Sequence, residues 1–256
     1  MTTIAVAETP LVNAILARAD DALVHAHRLS EWCGHAPMLE EDLALGNVAL
    51  DLLGQARALY QHAAAVDGAG RSEDDLAYLR DAPQFRNLLM LEQPKGDFAF
   101  TIARLFLHSA FLLPWWQAAM RSTDATLAAI AAKAEKEVAY HLRHAGEWLI
   151  RLGDGTEESH RRAADALDRL WRFTGEMFAV PDGERDLIAQ GILPDPAALR
   201  AEWDSTVARV LAEATLDRPA DGWMQMGGRR GVHTEHLGHM LAVMQHLQRA
   251  YPGATW

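Results

Sequence analysis

Apolar residues recur every three to four positions along most of the chain, which is the spacing of one face of an α-helix. The pattern predicts four long helices, at about residues 11–32, 38–66, 97–121 and 126–151, and a short one at about 74–80. No segment combines two-residue alternation with β-branched residues, so no strand is predicted. The sequence therefore predicts an all-α protein whose core is four long antiparallel helices.

The C-terminal part of the chain continues this pattern after a glycine-rich break at residue 153. Further helices are predicted at about residues 156–178, 197–216 and 234–251, with a glycine-rich loop at 221–231 before the last of them. We expect one helical domain over residues 1–256. Its core bundle covers about residues 11–151, and accessory helices at about 156–251 pack around it.

Charge and cysteine content exclude several classes of partner and site. The 256 residues carry 35 acidic and 24 basic side chains, for a formal net charge of -11. Nucleic-acid binding needs a basic footprint, so we expect no nucleic-acid partner. The single cysteine, Cys33, excludes both an intrachain disulfide and a thiolate metal cluster built from this chain alone.

No segment has the pattern of a membrane anchor or a targeting signal. The most apolar stretch, residues 98–120, is interrupted by Arg104, His108, Pro114 and Gln117. It therefore lacks the roughly 20 uninterrupted apolar residues of a membrane span. The first ten residues show no basic run followed by an apolar one. We expect a cytoplasmic protein with no membrane contact.

Polar residues within the apolar faces of the predicted helices are the candidates for catalytic or metal-binding residues. Asn47, Asp51 and Gln55 follow one another at four-residue steps on the second helix, among apolar neighbours, and are expected to point into the bundle. The fourth helix carries Glu137, His141 and His144 on one face. The other such positions are Glu31 near the end of the first helix and His108 in the third.

Buried carboxylates suggest a carboxylate-bridged dimetal site, in which two helices each give a Glu and two give Glu-x-x-His. The chain departs from that pattern where the imidazoles belong. Gly54 follows Asp51 and Tyr140 follows Glu137 at the third position, and the third helix has no acidic residue between Phe98 and Arg121. We therefore predict no metal site and no catalytic residue here. The favoured alternative is a buried polar network in which Asp51, Glu137 and His141 bind one another.

Two C-terminal features leave alternatives open. His233, His236 and His239 have the spacing of zinc ligands, but such a cluster at a helix start is more typical of a solvated cap. Arg229 and Arg230 lie among glycines, where exposed guanidinium groups would bind a carboxylate or phosphate on this chain or another. We consider these two arginines candidate contacts to a partner; a mobile solvated loop is the alternative.

Several segments together resemble a known family. They are residues 29–37 (LSEWCGHAP), 50–57 (LDLLGQAR), 87–89 with 92–94, 136–137 with 140–143, 170–174 (LWRFT) and 227–238 (GGRRGVHTEHLG). In combination they resemble the PaaC-type subunits of bacterial ring-1,2-phenylacetyl-CoA epoxidases, over about residues 23–256.

The resemblance implies a ferritin-like helical bundle and a place in a multicomponent oxygenase of phenylacetate catabolism. In such complexes a homologous PaaA-type subunit holds the di-iron centre and binds phenylacetyl-CoA. A reductase with flavin and an iron–sulfur cluster supplies electrons from NADPH. PaaC-type chains have lost the metal ligands and act as structural partners. We accordingly expect a non-catalytic subunit without a cofactor of its own, which pairs with PaaA and the other subunits and can form a homodimer when isolated.

Two other functions remain open from the residues alone. The chain could bind a dimetal centre itself through Glu31, Asp51, Glu137 and His141 and act as an oxidase. It could also be a ferritin-like storage protein, which needs an intact ferroxidase ligand set and usually assembles as a cage.

Overall fold

The computed structural model describes residues 3–254, and the described chain is all helical apart from its turns and loops. Its eleven α-helices, among the residues described, are α1 (Pro10–Ser30), α2 (Leu39–Asp67), α3 (Glu73–Tyr78), α4 (Leu89–Glu92), α5 (Phe98–Ala119), α6 (Ala125–Gly153), α7 (Glu157–Trp171), α8 (Glu184–Ala189), α9 (Arg200–Glu213), α10 (Glu235–Met244) and α11 (His246–Ala250). Short 3-10 turns connect several of them. The predicted all-α class is confirmed.

Two long hairpins, α1–α2 and α5–α6, form the core bundle and meet mainly along α2 and α6. Local signals set their ends. Asp124 accepts hydrogen bonds from the backbone N–H groups of Thr126 and Leu127 and so caps the start of α6. Gly68 closes α2 with a φ of 69°, a conformation that glycine adopts without strain. The bounds of all four core helices lie within two residues of the prediction.

The accessory helices are shorter than predicted. α7 ends at Trp171, and a 3-10 turn covers Thr174–Phe178. The last predicted helix is divided at Gln245, whose buried side-chain amide donates to the carbonyl groups of Ala77 and Arg80 at 3.1 and 2.9 Å. The periodicity alone does not reveal this division, because the contact joins segments about 165 residues apart.

α7 and α9 pack on α5 and α6, so that α5 is enclosed on nearly every side. Among the described residues α5 is also the one helix long and apolar enough to cross a membrane, yet 89% of that apolar window is buried inside the protein. Its composition is therefore that of a core helix. Arg104 and His108, the polar interruptions noted in the sequence, are both buried within it.

Candidate functional site

Polar side chains of α2 and α6 contact each other at several points along the two helices, among them Glu41 and His144, which are 3.1 Å apart. Nε2 of His141 lies 3.0 Å from the Asp51 carboxylate, and the Gln55 amide donates to the Glu137 carboxylate at 2.9 Å. The His141 side chain is 1% exposed and that of Asp51 37%. Burial lowers the pKa of His141 below its usual value, and the hydrogen bond to Asp51 offsets only part of this shift. These polar groups thus have partners within the protein.

A second pair of histidines lies deeper, between α1 and α5. Nδ1 of His25 and Nδ1 of His108 are 3.1 Å apart, so one ring donates and the other accepts. Burial and the adjacent imidazole lower the pKa of His25 well below its usual value, and burial lowers the pKa of His108 to about 3. Both rings are therefore neutral at physiological pH. The pair is a hydrogen-bonded link between the two hairpins.

Sequence reasoning missed His25, although a signal for it exists. It lies three positions after Ala22 and four before Leu29, both of which are buried, so it shares their inward face. A histidine on that face has to find a partner inside the bundle. The same argument identified His108 from the sequence.

Several predicted site residues lie elsewhere than expected. Asn47 is exposed, so the expectation that the whole polar row of α2 points inward is wrong. Glu31 is exposed and pairs with Arg28 at 2.6 Å, away from α2 and α6. Tyr140 is 41% exposed and stacks on His144. Gly54 lies on the outer side of α2, where the nearest atom to an added Cβ would be Nζ of Lys133, at 3.9 Å.

This arrangement does not fit a dimetal centre. Such a centre needs carboxylates from several helices to converge on two ions, with imidazole donors beside them. Asp51 contacts His141, but Glu137 contacts Gln55 and Lys133 instead, so the predicted network of all three residues forms only in part, and Glu31 lies elsewhere. In the described part of the chain no group of three or more His, Cys, Asp or Glu side chains is placed to hold a metal ion.

Comparison with known proteins agrees with the motifs and the helical fold. The family model described as phenylacetic acid catabolic protein, which covers PaaA and PaaC, matches residues 1–256. The chain belongs to this family. A relative from Escherichia coli K12, named as a component of 1,2-phenylacetyl-CoA epoxidase, is 51% identical over 237 residues, which cover 93% of this chain and 95% of the relative.

The glycine-rich motif at residues 227–234, which we call the arginine loop, packs onto α1 in this structure. Arg230 is exposed, but the Arg229 side chain is only 7% exposed. Arg229 donates two hydrogen bonds to the Asp21 carboxylate, at 2.9 and 2.7 Å, and another to the Arg86 carbonyl at 2.7 Å. The expected exposure of Arg229 is therefore wrong. Its carboxylate partner is on the same chain.

The arginine loop is also fixed by Glu92 of α4. One carboxylate oxygen of Glu92 accepts from the backbone N–H and the hydroxyl of Thr234, at 2.6 and 2.7 Å. The other faces Nδ1 of His233 at 2.8 Å, while Nε2 of that ring faces the Phe85 carbonyl at 2.9 Å. Burial opposes protonation, but these oxygens outweigh it and raise the pKa of His233. Both ring nitrogens of His233 face oxygen acceptors, so this residue does not offer a free zinc ligand.

Glu176 holds the start of the arginine loop. Its carboxylate accepts hydrogen bonds from the backbone N–H groups of Gly227, Gly228 and Leu89, each at 2.8 Å. A Cβ atom on Gly228 would lie 2.0 Å from the Asn87 carbonyl oxygen, so only glycine allows this approach. Three buried carboxylates, Asp21, Glu92 and Glu176, thus attach the arginine loop to the bundle. The motif has a structural role within the chain.

The Asp51–His141 contact is predicted to contribute little to stability. We expect Asp51→Asn to lower the free energy of unfolding by less than about 1 kcal/mol, because the carboxylate is partly exposed and an amide can still meet the imidazole. Urea denaturation of the variant measures this value. A loss several times larger would mean that Asp51 carries a role beyond this single hydrogen bond.

Proposed function

We propose that the chain is the non-catalytic structural subunit of a phenylacetyl-CoA epoxidase, paired with a PaaA-type subunit that holds the di-iron centre. The observation that carries the proposal is the pairing of polar side chains between α2 and α6. Asp51 bonds His141 and Glu137 bonds Gln55, so the carboxylates that would bridge metals are occupied by protein donors. The 51% identity to a component of the E. coli epoxidase supports the same role.

The division of labour follows from the chemistry of oxygen activation. A di-iron site requires carboxylate and imidazole ligands in one cluster, whereas His25 and His108 here bond each other and His141 bonds Asp51. The reacting groups would then reside in the partner: iron and the acyl-CoA on the PaaA-type subunit, and NADPH, flavin and iron–sulfur cluster on the reductase. This chain would supply a rigid helical surface to that assembly.

Metal content tests the absence of a di-iron site. The chain, produced alone with excess iron and purified, is expected to contain well below one iron per molecule by elemental analysis. It is also expected to form no epoxide from phenylacetyl-CoA when reductase, NADPH and oxygen are supplied. Stoichiometric tightly bound iron, or epoxide from the lone chain, would contradict the proposal and favour an oxidase with its own metal centre.

A pull-down and a turnover assay test the partner. A tagged PaaA-type subunit is expected to retain this chain on a column and to turn over phenylacetyl-CoA faster with it than without it. If the two chains do not associate, or if turnover is the same without this chain, the structural role is wrong. The Arg230→Glu variant, at the exposed arginine, shows in the same assay whether the arginine loop contributes to docking.

A further inference from the structure

A cavity of about 380 Å³ lies between α3 and the C-terminal segment of the chain, and we call it the C-terminal pocket. α3 and Leu79 line one part of it, and α11 with residues 251–254 lines the rest. The volume falls within the range of small-molecule sites, about 300–1,000 Å³. None of the residues discussed above as candidate metal ligands lines this pocket.

Two carboxylates of α3 line the C-terminal pocket. One oxygen of Asp75 accepts from the backbone N–H and the hydroxyl of Ser72, at 2.9 Å each, and so closes the capping box of α3. The exposed carboxylate of Asp74 has no hydrogen bond and no cationic partner in the described part of the chain. Asp74 thus presents an uncompensated negative charge at the pocket.

The basic side chain of the C-terminal pocket, Arg249, is already bound within the protein. Its Nε donates to the Tyr78 carbonyl at 3.0 Å, Nη1 to the Asp81 carboxylate at 2.9 Å, and Nη2 to the Arg80 carbonyl at 2.8 Å. Each guanidinium nitrogen therefore has an acceptor, and Asp81 compensates the charge. Arg249 does not compensate Asp74, so the pocket favours a cation.

Aromatic and apolar groups supply the rest of the pocket wall. Tyr78 is half-buried and Tyr251 is 59% exposed, and both line the cavity. The face of an aromatic ring attracts a cation through its quadrupole. Leu79 and Pro252 add apolar surface. A carboxylate, two phenol rings and apolar surface in one cavity are complementary to a cation attached to a carbon chain.

We propose that the C-terminal pocket binds an alkylammonium group. The ammonium lies near Asp74, where no cation of the protein competes for the carboxylate, and the carbon chain packs on the apolar wall. The net charge of -11 on the whole chain also favours the approach of a cation. Such a group is carried by a free diamine or polyamine and by the lysine side chain of another protein.

Nuclear magnetic resonance of the full chain tests the proposal, because the sequence has only four tyrosines. The chain is prepared with isotope-labelled tyrosine rings and titrated with cadaverine at neutral pH, where both amines are protonated. The signals of Tyr78 and Tyr251 are expected to shift saturably, and those of the buried Tyr60 and of Tyr140 on α6 to stay unchanged. Tyr78→Phe and Tyr251→Phe assign the signals. If the Tyr78 and Tyr251 signals do not shift saturably, the proposal is wrong.

Removal of the carboxylate tests charge recognition. Asp74→Asn is expected to weaken cadaverine binding about fivefold, the upper range for an exposed ion pair. Asp168→Asn, at an exposed position of α7, is the matched control and is expected to leave the affinity unchanged. Pentanol, a neutral analogue, is expected to produce no comparable shift. Equal binding of pentanol, or wild-type affinity in Asp74→Asn, would overturn the proposal.

Two variants of Tyr251 test the contribution of its ring. Tyr251→Phe keeps an aromatic face and is expected to bind cadaverine within about twofold of the wild type, whereas Tyr251→Leu is expected to bind about threefold to fivefold more weakly. The Tyr78 signal reports binding in both variants, and circular dichroism shows that both are folded. Equal affinities of the two variants would contradict the cation–π contact.

A comparison of two ligands distinguishes the sources of the alkylammonium group. Tighter binding of cadaverine than of Nα-acetyl-lysine methylamide supports a free amine, and the reverse order supports a lysine side chain of another protein. Failure of both ligands to bind overturns the proposal. The titration involves no iron, partner subunit or turnover, so its outcome is independent of the proposed role in an epoxidase.

Discussion

Arg229→Met is expected to lower the free energy of unfolding by about 3–5 kcal/mol, the usual cost of removing one partner of a buried ion pair. The variant leaves the Asp21 carboxylate buried with Arg18 as its remaining cation, at 3.4 Å. In the native chain Arg229 and Arg18 outweigh the effect of burial and lower the pKa of Asp21. Urea denaturation followed by circular dichroism measures the loss.

Arg230→Met is the matched control for this prediction. It removes the same charge from the neighbouring residue, which is exposed, and is expected to change stability by no more than about 0.5 kcal/mol. A double-mutant cycle with Asp21→Asn isolates the coupling between Arg229 and Asp21. Equal effects of the two arginine variants would show that the Arg229–Asp21 pair does not secure the arginine loop.

Lowering the pH from 6.5 to 5 is expected to reduce the free energy of unfolding by about 3 kcal/mol through His25 and His108 together. The native pKa values of both histidines are lowered. Between pH 6.5 and pH 5 the unfolded chain therefore binds protons at these residues, whereas the native state does not. Each such group costs about 1.36 kcal/mol per pH unit below the unfolded pKa of about 6.5. For His108 this loss continues down to the native pKa of about 3.

The pH dependence of stability that His233 contributes has the opposite sign to that of His25 and His108, and it does not cancel their effect. Its native pKa is raised, so its contribution is fully present below about pH 6.5 and is lost as the pH rises through the native value. Stability is therefore expected to be greatest near neutral pH. His141, whose pKa is lowered, adds to the loss on the acid side.

Urea denaturation at several pH values checks this prediction. The double variant His25→Gln/His108→Gln is expected to flatten the acid slope by about 2.7 kcal/mol per pH unit, whatever its stability at neutral pH. His239→Gln, at an exposed position of α10, is the control and is expected to keep the wild-type slope. If the slope of the double variant equals that of the wild type, the histidine pair is not the source of acid sensitivity.

The fold follows largely from local signals in the sequence. Helix periodicity, the Asp124 cap and the Gly68 stop each depend on residues a few positions apart, so the core helices can be located to within two residues. The burial of Arg229 could not be predicted in the same way. Its partner Asp21 lies 208 positions earlier, and nothing local distinguishes Arg229 from the exposed Arg230.

α2 shows why apolar neighbours in the sequence are not enough to predict that a polar residue is buried. Leu50 and Leu53 suggest from the sequence that the adjacent polar row is buried, yet both leucines are exposed and only Gln55 of that row is fully buried. One apolar face of α2 packs into the bundle and another faces outward, so the sequence pattern does not show which face is buried. The inward residues repeat every 3.6 positions and the outward leucines every 3.5, and only the burial of each position in the structure distinguishes the two faces.

The Arg229–Asp21 pair has a consequence for biosynthesis. A ribosome completes the α1–α2 hairpin long before it adds Arg229, so the nascent hairpin holds a carboxylate whose main counter-ion does not yet exist. Desolvating Asp21 at that stage would cost several kcal/mol. The hairpin should therefore reach its native packing only after the segment that carries Arg229 has been translated.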